Sequence, residues 1–176
     1  VGGSGNDGIN TAGYLRKNYA DDNRGEIIVD GNSNVYVVSS TESSDFPTTS
    51  NSYQPNSAGG QEVCVFKMSQ DLSTMIWSSY FGGSRNEAGY SLFLANDKSL
   101  YFCGGTTSHN LPVTPNAIQP SHADSLTDAD GFVAHFSPAG NLLLHSTYFG
   151  KSDYDQTYLI KGSLDRKSGS AGMPRP

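Results

Sequence analysis

The chain has 176 residues, of which 35% are hydrophobic, 20 are glycine and 18 are tyrosine or phenylalanine. Many turns and many aromatic side chains favour an all-β chain over a helical or disordered one. The net charge of −6 argues against nucleic acid as a partner, because phosphate binding needs clustered Lys and Arg. No apolar run approaches the roughly 20 residues of a membrane span. The chain starts without a Met or a signal peptide, so we expect a piece of a longer protein.

The chain repeats itself. "VYVVSSTESSDFPTTSNSYQP" (35–55) aligns with "LYFCGGTTSHNLPVTPNAIQP" (100–120) at an offset of 65. "EVCVFKMSQDLSTMIWSSYFG" (62–82) aligns with "DGFVAHFSPAGNLLLHSTYFG" (130–150) at an offset of 68, and the three extra residues fit in the loop "SHADSLTDA". This register predicts repeated structural units of about 65 residues.

The start of the chain extends the repeat. "GGSGND" (2–7) matches "GGSRNE" (82–87) at an offset of 80, which predicts an insertion between Asp7 and Gly25. The predicted organisation is a segment leading into the first unit with this insertion (1–24), unit one (25–82), unit two (83–150), the start of a third unit (151–160) and a non-repeat tail or linker (161–176). That tail carries a net charge of +3, which leaves −9 for the remainder.

Each unit contains four strand-like segments separated by polar turns. They are "GEIIVD", "NVYVVSS", "VCVFKMS" and "TMIWSSYFG" in unit one, and "GYSLFLA", "LYFCGG", "GFVAHFS" and "LLLHSTYFG" in unit two. Four short antiparallel strands per unit are typical of a propeller blade, whose inner strands are covered on both faces and therefore read as apolar runs. The predicted fold class is all-β, with β-propeller-type repeats and about two and a half blades.

The phrase "YFG" ends the fourth strand of both units. We expect its glycine to allow a sharp reversal and a positive φ, and its Phe to fill the gap between neighbouring blades. In the long loops, Tyr53 and Ile118 are expected to anchor the loop to the blade. "TPNAIQ" predicts a helical turn near Pro115, and Asp45 and Asn110 are expected to fix the loop by hydrogen bonds to turn amides.

The stretches "YFGGS", "SNVYVVSST", "DFPTT" and "SYQP" resemble the SBBP family, which is named for seven-bladed β-propeller repeats. The resemblance covers about residues 1–160; "NLPVT" replaces "DFPTT" in unit two, and "KGSLDRKSGSAGMPRP" departs from the pattern. It implies large secreted or cell-surface bacterial proteins, such as gliding-motility-associated proteins exported by the type IX route. The family supplies no catalytic residues, so the surface role is a fold-level analogy.

The side chains that commonly carry chemistry do not form a recognisable catalytic set. Cys64 aligns with Phe132, and Cys103 with Val38, as expected for small buried hydrophobic residues, although a disulfide stays open. The four histidines are scattered without zinc-ligand spacing. No Gly-x-Ser-x-Gly elbow is present. We therefore predict a chain that is not an enzyme and has no cofactor.

Acidic corners are the best candidate for a binding site. Asp7, Glu87 and Asp155 hold equivalent positions after the Gly-Ser turns, and Asp22 is an alternative to Asp7 because it meets Glu87 at the offset of 65. Calcium is one hypothesis, since "GGSGND" matches the start of a calcium-binding repeat that normally occurs in tandem. Turn capping by carboxylates that accept backbone hydrogen bonds is the more common arrangement.

Two functions are consistent with these patterns. The first is a non-enzymatic scaffold or adhesion segment, whose partners are other blades of the parent chain, a self-associating copy, a glycan or a surface protein. The alternative is a carbohydrate-active propeller enzyme, such as a lyase or a glycosidase, or a calcium-dependent glycan-binding module. An enzyme of this kind should have acidic residues unique to one blade and facing the central axis.

Overall fold

The computed structural model describes residues 1–123 and 128–162. Two four-stranded antiparallel sheets make up the fold. Sheet 1 consists of β1 (Glu26–Val29), β2 (Val35–Thr41), β3 (Glu62–Met68) and β4 (Met75–Phe81). Sheet 2 consists of β5 (Glu87–Leu94), β6 (Leu100–Thr106), β7 (Asp130–Phe136) and β8 (Leu143–Phe149). The all-β class and the four strands per unit are therefore confirmed.

Nearly all of the predicted tail, from residue 163 onward, lies outside the described residues, as do residues 124–127 of the loop with the three-residue excess. Within the described ranges, the regular elements besides the strands are two short 3-10 turns, at Gly13–Leu15 and Asp21–Asn23. No helix in this part of the chain has the length and apolar character that crossing a bilayer requires.

Each sheet is a simple meander in which every strand pairs with the next one along the chain. The turns that join the strands match between units in backbone conformation. Ser33 and Lys98 occupy equivalent positions with φ of 62° and 68°, and Leu72 and Gly140 do so with φ of 59° and 66°. Positive φ is uncommon for residues other than glycine. The shared conformation confirms in three dimensions the offsets of 65 and 68 that the sequence showed.

The two sheets pack against each other around a shared aromatic core. Phe81, at the end of β4, is fully buried, and its ring centroid lies 5.2 Å from that of Phe102, 5.4 Å from Phe132 and 5.9 Å from Phe136. These partners all belong to sheet 2, so Phe81 fills the space between the sheets as predicted. Long runs of consecutive buried residues in β3 and β5 agree with strands covered on both faces.

The predicted insertion interrupts the first strand of unit one. Asp7 forms an isolated bridge with β2, just as Glu87 pairs with the equivalent end of β6. The strand resumes only at Glu26, and residues 8–24 leave the sheet between these two points. Leu15 in this excursion is fully buried in a cluster with side chains of β5. In unit two the corresponding position of β5 carries only a register shift, between Gly89 and Ser91.

Residues 151–162 lie on sheet 2 in the way that β5 lies on sheet 1. The Asp155 N–H donates to the Ala129 carbonyl over 2.7 Å, and the Glu87 N–H donates to the equivalent Gln61 carbonyl over 2.8 Å. The segment is not part of a sheet in the described residues. It nevertheless repeats the hydrogen bond with which unit two begins.

The long loops differ from the prediction in two respects. Tyr53 does anchor its loop, but it does so on the neighbouring sheet, with its ring 5.3 Å from that of Phe136. The expectation for Ile118 is wrong, because this side chain is 95% exposed. The turn expected near Pro115 is present as a single turn, closed by the Ala117 N–H on the Thr114 carbonyl over 2.9 Å.

Candidate functional site

Asp7, Glu87 and Asp155 make the same backbone hydrogen bond in three successive units. The donor is always the amide four residues earlier, at 2.7 Å for Asp7, 2.8 Å for Glu87 and 2.7 Å for Asp155. Each carboxylate therefore caps the Gly-Ser turn that precedes it. This geometry is the turn-capping arrangement expected from the sequence, repeated with the same spacing each time.

Glu87 is the most deeply buried of these three carboxylates. It is fully buried, and its carboxyl also accepts a hydrogen bond from the Thr106 hydroxyl over 2.6 Å. Burial raises the pKa of Glu87 to about 7; hydrogen bonds from Ser108, Thr106 and the Gly83 amide partly offset this, and the nearby charge of Glu62 adds to it. Glu87 therefore takes up a proton near neutral pH, which an exposed glutamate does not do.

Asp22, the alternative to Asp7, has a different role. Its carboxylate accepts a hydrogen bond from the Arg16 guanidinium over 2.6 Å, and this bond lowers the pKa of Asp22. Asp7 alone of the two makes the equivalent corner contacts. The described residues contain no group of three or more His, Cys, Asp or Glu side chains that could hold a metal ion. The calcium hypothesis thus gains no supporting observation from the corner geometry.

The expected loop-fixing role of Asp45 and Asn110 is confirmed. Asp45 Oδ1 accepts hydrogen bonds from the Ser4 amide over 2.7 Å and from the Ser4 hydroxyl over 2.9 Å. Asn110 Oδ1 accepts the same pair of hydrogen bonds from Ser84, over 3.0 and 2.9 Å. The same geometry in both copies holds each long loop against the Gly-Ser turn that it contacts.

A second buried carboxylate accompanies each corner, and the sequence did not single it out. In unit one, the Gln54 amide donates to Glu62 over 2.6 Å, while its oxygen accepts from the Gly82 N–H over 3.1 Å. Unit two repeats these contacts with Gln119, Asp130 and Gly150. The available signal was the alignment of Gln54 with Gln119 and of Glu62 with Asp130. Equivalent polar residues inside an apolar repeat indicate a shared buried hydrogen-bond network.

The glycines of "YFG" are needed for space and not for a positive φ. Neither Gly82 nor Gly150 has a positive φ, so this part of the prediction is wrong. A Cβ on Gly82 would collide with the Glu87 carboxylate, and one on Gly150 would collide with the Asp130 carboxylate. The close approach of the backbone to a buried carboxylate therefore explains why the corner phrase recurs.

The tyrosine of the same phrase holds the long loop. The Tyr80 hydroxyl donates to the Ser43 carbonyl over 2.6 Å and accepts from the Phe46 amide over 2.9 Å. Tyr148 makes the equivalent pair of bonds in unit two, over 2.8 Å each. Every residue of "YFG" thus has a structural role at the corner.

One acidic residue of the insertion is buried against residues 151–162. Asp21, from the insertion, is fully buried; its carboxylate accepts hydrogen bonds from the Tyr154 hydroxyl over 3.4 Å and the Tyr158 hydroxyl over 3.3 Å. Arg24 lies 3.3 Å from the same carboxylate and 4.4 Å from the centre of the Tyr158 ring. The ring of Tyr90 stacks on that of Tyr158 at 5.3 Å. This cluster, which we call the Asp21 clasp, holds residues 151–162 against the insertion.

The two cysteines are buried and free, in sheet 1 (Cys64) and sheet 2 (Cys103). Burial raises the pKa of both thiols to about 12. The disulfide that the sequence left open is therefore not formed. The thiols behave as small hydrophobic groups.

A row of rings crosses sheet 2 from β5 to β8, and sequence reasoning missed it. Phe93, Tyr101, His135 and His145 are consecutive cross-strand partners, with ring centroids 6.3, 3.8 and 5.7 Å apart. A cavity of about 650 Å³ lies beside the row, between the β5–β6 turn and residues 160–162. His135 and His145 are ten residues apart in the β7–β8 hairpin. The register of that hairpin, read from the sequence, could have predicted that they are direct cross-strand neighbours.

No protein-family model matches the chain, and no curated protein matches it. The resemblance to seven-bladed propeller repeats therefore depends only on the motifs quoted above.

Proposed function

We propose that the chain is a non-enzymatic β-propeller-type repeat segment of a larger secreted or cell-surface bacterial protein, where it acts as a scaffold or interaction module. The supporting observation is that equivalent residues of the two units have equivalent structural roles. Corner carboxylates cap turns, the Tyr hydroxyls hold loops and Phe81 packs between sheets. Repeats that stack on their neighbours build surfaces whose size depends on the number of units.

The outer face of sheet 2 supports this proposal. We define this face by Tyr101, Ile118, His145 and Phe149. Phe149 is 66% exposed, whereas its counterpart Phe81 is fully buried against sheet 2. Exposed apolar surface of this kind marks an interaction site. A further unit would cover this face as sheet 2 covers sheet 1.

In this proposal, the start of such a unit lies at residues 151–162. Residues 151–162 repeat the corner hydrogen bond and lie on sheet 2, as described above. A sheet that begins with this segment would extend over Phe149 and Ile118. The additional strands would come from a longer parent chain or from a second copy of this one, as in heterologous head-to-tail association.

Sedimentation velocity over a range of protein concentrations tests the stacking role. We expect concentration-dependent association that is weakened by the double substitution Phe149→Ser and Ile118→Ser. Leu72→Ser is the matched control, because Leu72 is 57% exposed but lies in the β3–β4 turn, away from the outer face. Association that the double variant leaves unchanged would contradict the role of this face. A chain that stays monomeric throughout would exclude a second copy as the covering unit.

Asp21 is an observation that favours the alternative, a carbohydrate-active enzyme. This carboxylate belongs to the insertion and lies close to two tyrosine hydroxyls and an arginine. However, it is fully buried, which suits a structural clasp better than an active site. Incubation with a panel of acidic and neutral polysaccharides decides between them. Release of oligosaccharides by the wild type, lost in Asp21→Asn while the fold is retained, would replace the scaffold proposal.

A further inference from the structure

The cavity beside the ring row has an equivalent in unit one, and the two differ in size. In unit one, a cavity of about 290 Å³ lies between the β1–β2 turn and the end of β5. In unit two, the cavity of about 650 Å³ lies between the β5–β6 turn and residues 160–162. The smaller cavity persists although all of sheet 2 covers sheet 1. A space at this place is therefore compatible with stacking of a further unit.

A carboxylate belonging to the protein organises the position in unit one. The Tyr36 hydroxyl lies 3.3 Å from Asp30 Oδ2, and the Lys67 ammonium lies 3.8 Å from the same oxygen. Lys67 also lies 4.9 Å from the centre of the Tyr36 ring. Burial opposes ionisation of Asp30, but hydrogen bonds from Asn34 and Asn32 outweigh it and lower the pKa to about 2. In unit one, the Asp30 carboxylate therefore occupies this position, with the Tyr36 hydroxyl and the Lys67 ammonium as its partners.

Unit two keeps the tyrosine but has no carboxylate at the position of Asp30; the nearest carboxylate in its cavity is that of Asp97, which attracts His135 but makes no hydrogen bond to it. Tyr101 corresponds to Tyr36, whereas Ala95 replaces Asp30 and His135 replaces Lys67. His135 is only 8% exposed, and neither of its ring nitrogens has a hydrogen-bond partner within residues 1–123 and 128–162. A buried polar group without a partner is unfavourable, because it has lost its hydrogen bonds to water without replacement. The missing partner is the group that Asp30 supplies in unit one.

The remaining walls of the cavity indicate what else a ligand would carry. Lys161 lines the cavity and offers a positive charge. Asp97 and Ser99 line it as well, and the Asp97 carboxylate is held by the Ser99 hydroxyl over 2.6 Å. These groups can bind hydroxyls in addition to a carboxylate. A volume of about 650 Å³ lies within the range of small-molecule sites.

We propose that this cavity binds a carboxylate-bearing, hydroxylated ligand of the sugar-acid class. The ligand carboxylate takes the place of Asp30, accepts hydrogen bonds from His135 and Tyr101, and is balanced by Lys161. The ligand hydroxyls bind at Asp97 and Ser99. The site shares Tyr101 with the outer face defined above, but ligand titration and sedimentation test different residues, so either proposal can fail without the other.

Titration with galacturonate tests the site, followed by the ring resonances of the histidines and by calorimetry. Galactose is the probe without a carboxylate, and acetate is the carboxylate without a hydroxylated body. We expect saturable galacturonate binding that shifts the His135 resonances, with galactose and acetate each at least about tenfold weaker, because each lacks part of the hydrogen-bonding set.

Two variants separate loss of the site from loss of the fold. The double substitution Ala95→Asp and His135→Lys recreates the contents of the unit-one position and should abolish binding while the strand content is retained. His135→Gln is the milder variant and should weaken binding about tenfold. His109→Gln, at an exposed histidine outside the cavity, should bind as the wild type does. Absence of saturable galacturonate binding, equal binding of galactose or acetate, or unchanged binding in His135→Gln would overturn the proposal.

Discussion

Glu87 provides the sharpest test of the buried corner. Its pKa of about 7 in the folded protein compares with 4.5 for an ordinary glutamate. The folded state therefore holds this proton more tightly than the unfolded state does. Between about pH 4.5 and about pH 7, the free energy of unfolding should fall as the pH rises, because the unfolded chain ionises first. This difference in pKa corresponds to about 3 kcal/mol, since each pKa unit is worth about 1.4 kcal/mol.

Glu87→Gln replaces the titrating group with a neutral one of the same shape. Its amide oxygen can accept from the Gly83 amide, and its NH₂ group can donate to the Thr106 hydroxyl, as the protonated acid does. We expect the variant to match the wild type near pH 4.5 and to gain up to about 3 kcal/mol of stability relative to it by about pH 7.5. The carboxylate that caps the turn is therefore a cost to stability at neutral pH.

Urea unfolding at several pH values, followed by the fluorescence of the single tryptophan, measures this difference. Trp77 is 4% exposed, so its emission should report the loss of the core between the sheets. Glu42→Gln is the control, because it removes the same formal charge from an exposed side chain at the Asp7 corner, where Glu42 accepts a hydrogen bond from Asn6. If the difference between Glu87→Gln and the wild type stays constant or shrinks as the pH rises, the assignment of a raised pKa is refuted.

The remaining predictions concern packing, loop hydrogen bonds and thiol reactivity. Phe81→Ala should destabilise the chain by about 3–5 kcal/mol, whereas Phe149→Ala at the equivalent but exposed position should cost less than about 1 kcal/mol by urea unfolding; equal costs would contradict the packing described. Tyr80→Phe should cost about 1–3 kcal/mol in the same assay, because it leaves a buried loop carbonyl and a buried amide unpaired, and a neutral result would count against those bonds. Cys64 and Cys103 should not react with a thiol reagent in the native state and should both react in denaturant, because burial raises their pKa to about 12; rapid native labelling would contradict their burial.

Local patterns accounted for much of the fold. Apolar runs between polar turns placed all eight strands, and the two offsets identified equivalent positions such as Asp45 and Asn110. Internal repetition made this possible, since each copy served as a check on the other. The insertion after Asp7 was predicted by the same comparison, from the mismatch between offsets of 80 and 65.

Other features lay beyond local patterns because they depend on which residues meet across the sheets. The pairing of half-buried Gln54 with buried Glu62 cannot be predicted from the loop and strand patterns, because it depends on where the chain turns at Gly82. The Asp21 clasp requires the insertion to meet residues more than 130 positions away. His135 has no hydrogen-bond partner in the described part of the chain, and the meaning of this emerges only when its surroundings are compared with those of Lys67.

The sequence alone determined that this is a chain of repeated four-stranded units, because apolar runs and turn chemistry act over a few residues and recur at a nearly constant spacing. Only the tertiary structure decided which surfaces are covered and which are open. Burial is a property of contacts between distant segments, so Phe81 and Phe149 share a motif and yet differ in environment. The same reasoning applies to the two equivalent cavities. Ala95 and His135 stand where unit one has Asp30 and Lys67, and the strand pattern does not show what these differences do to the cavity.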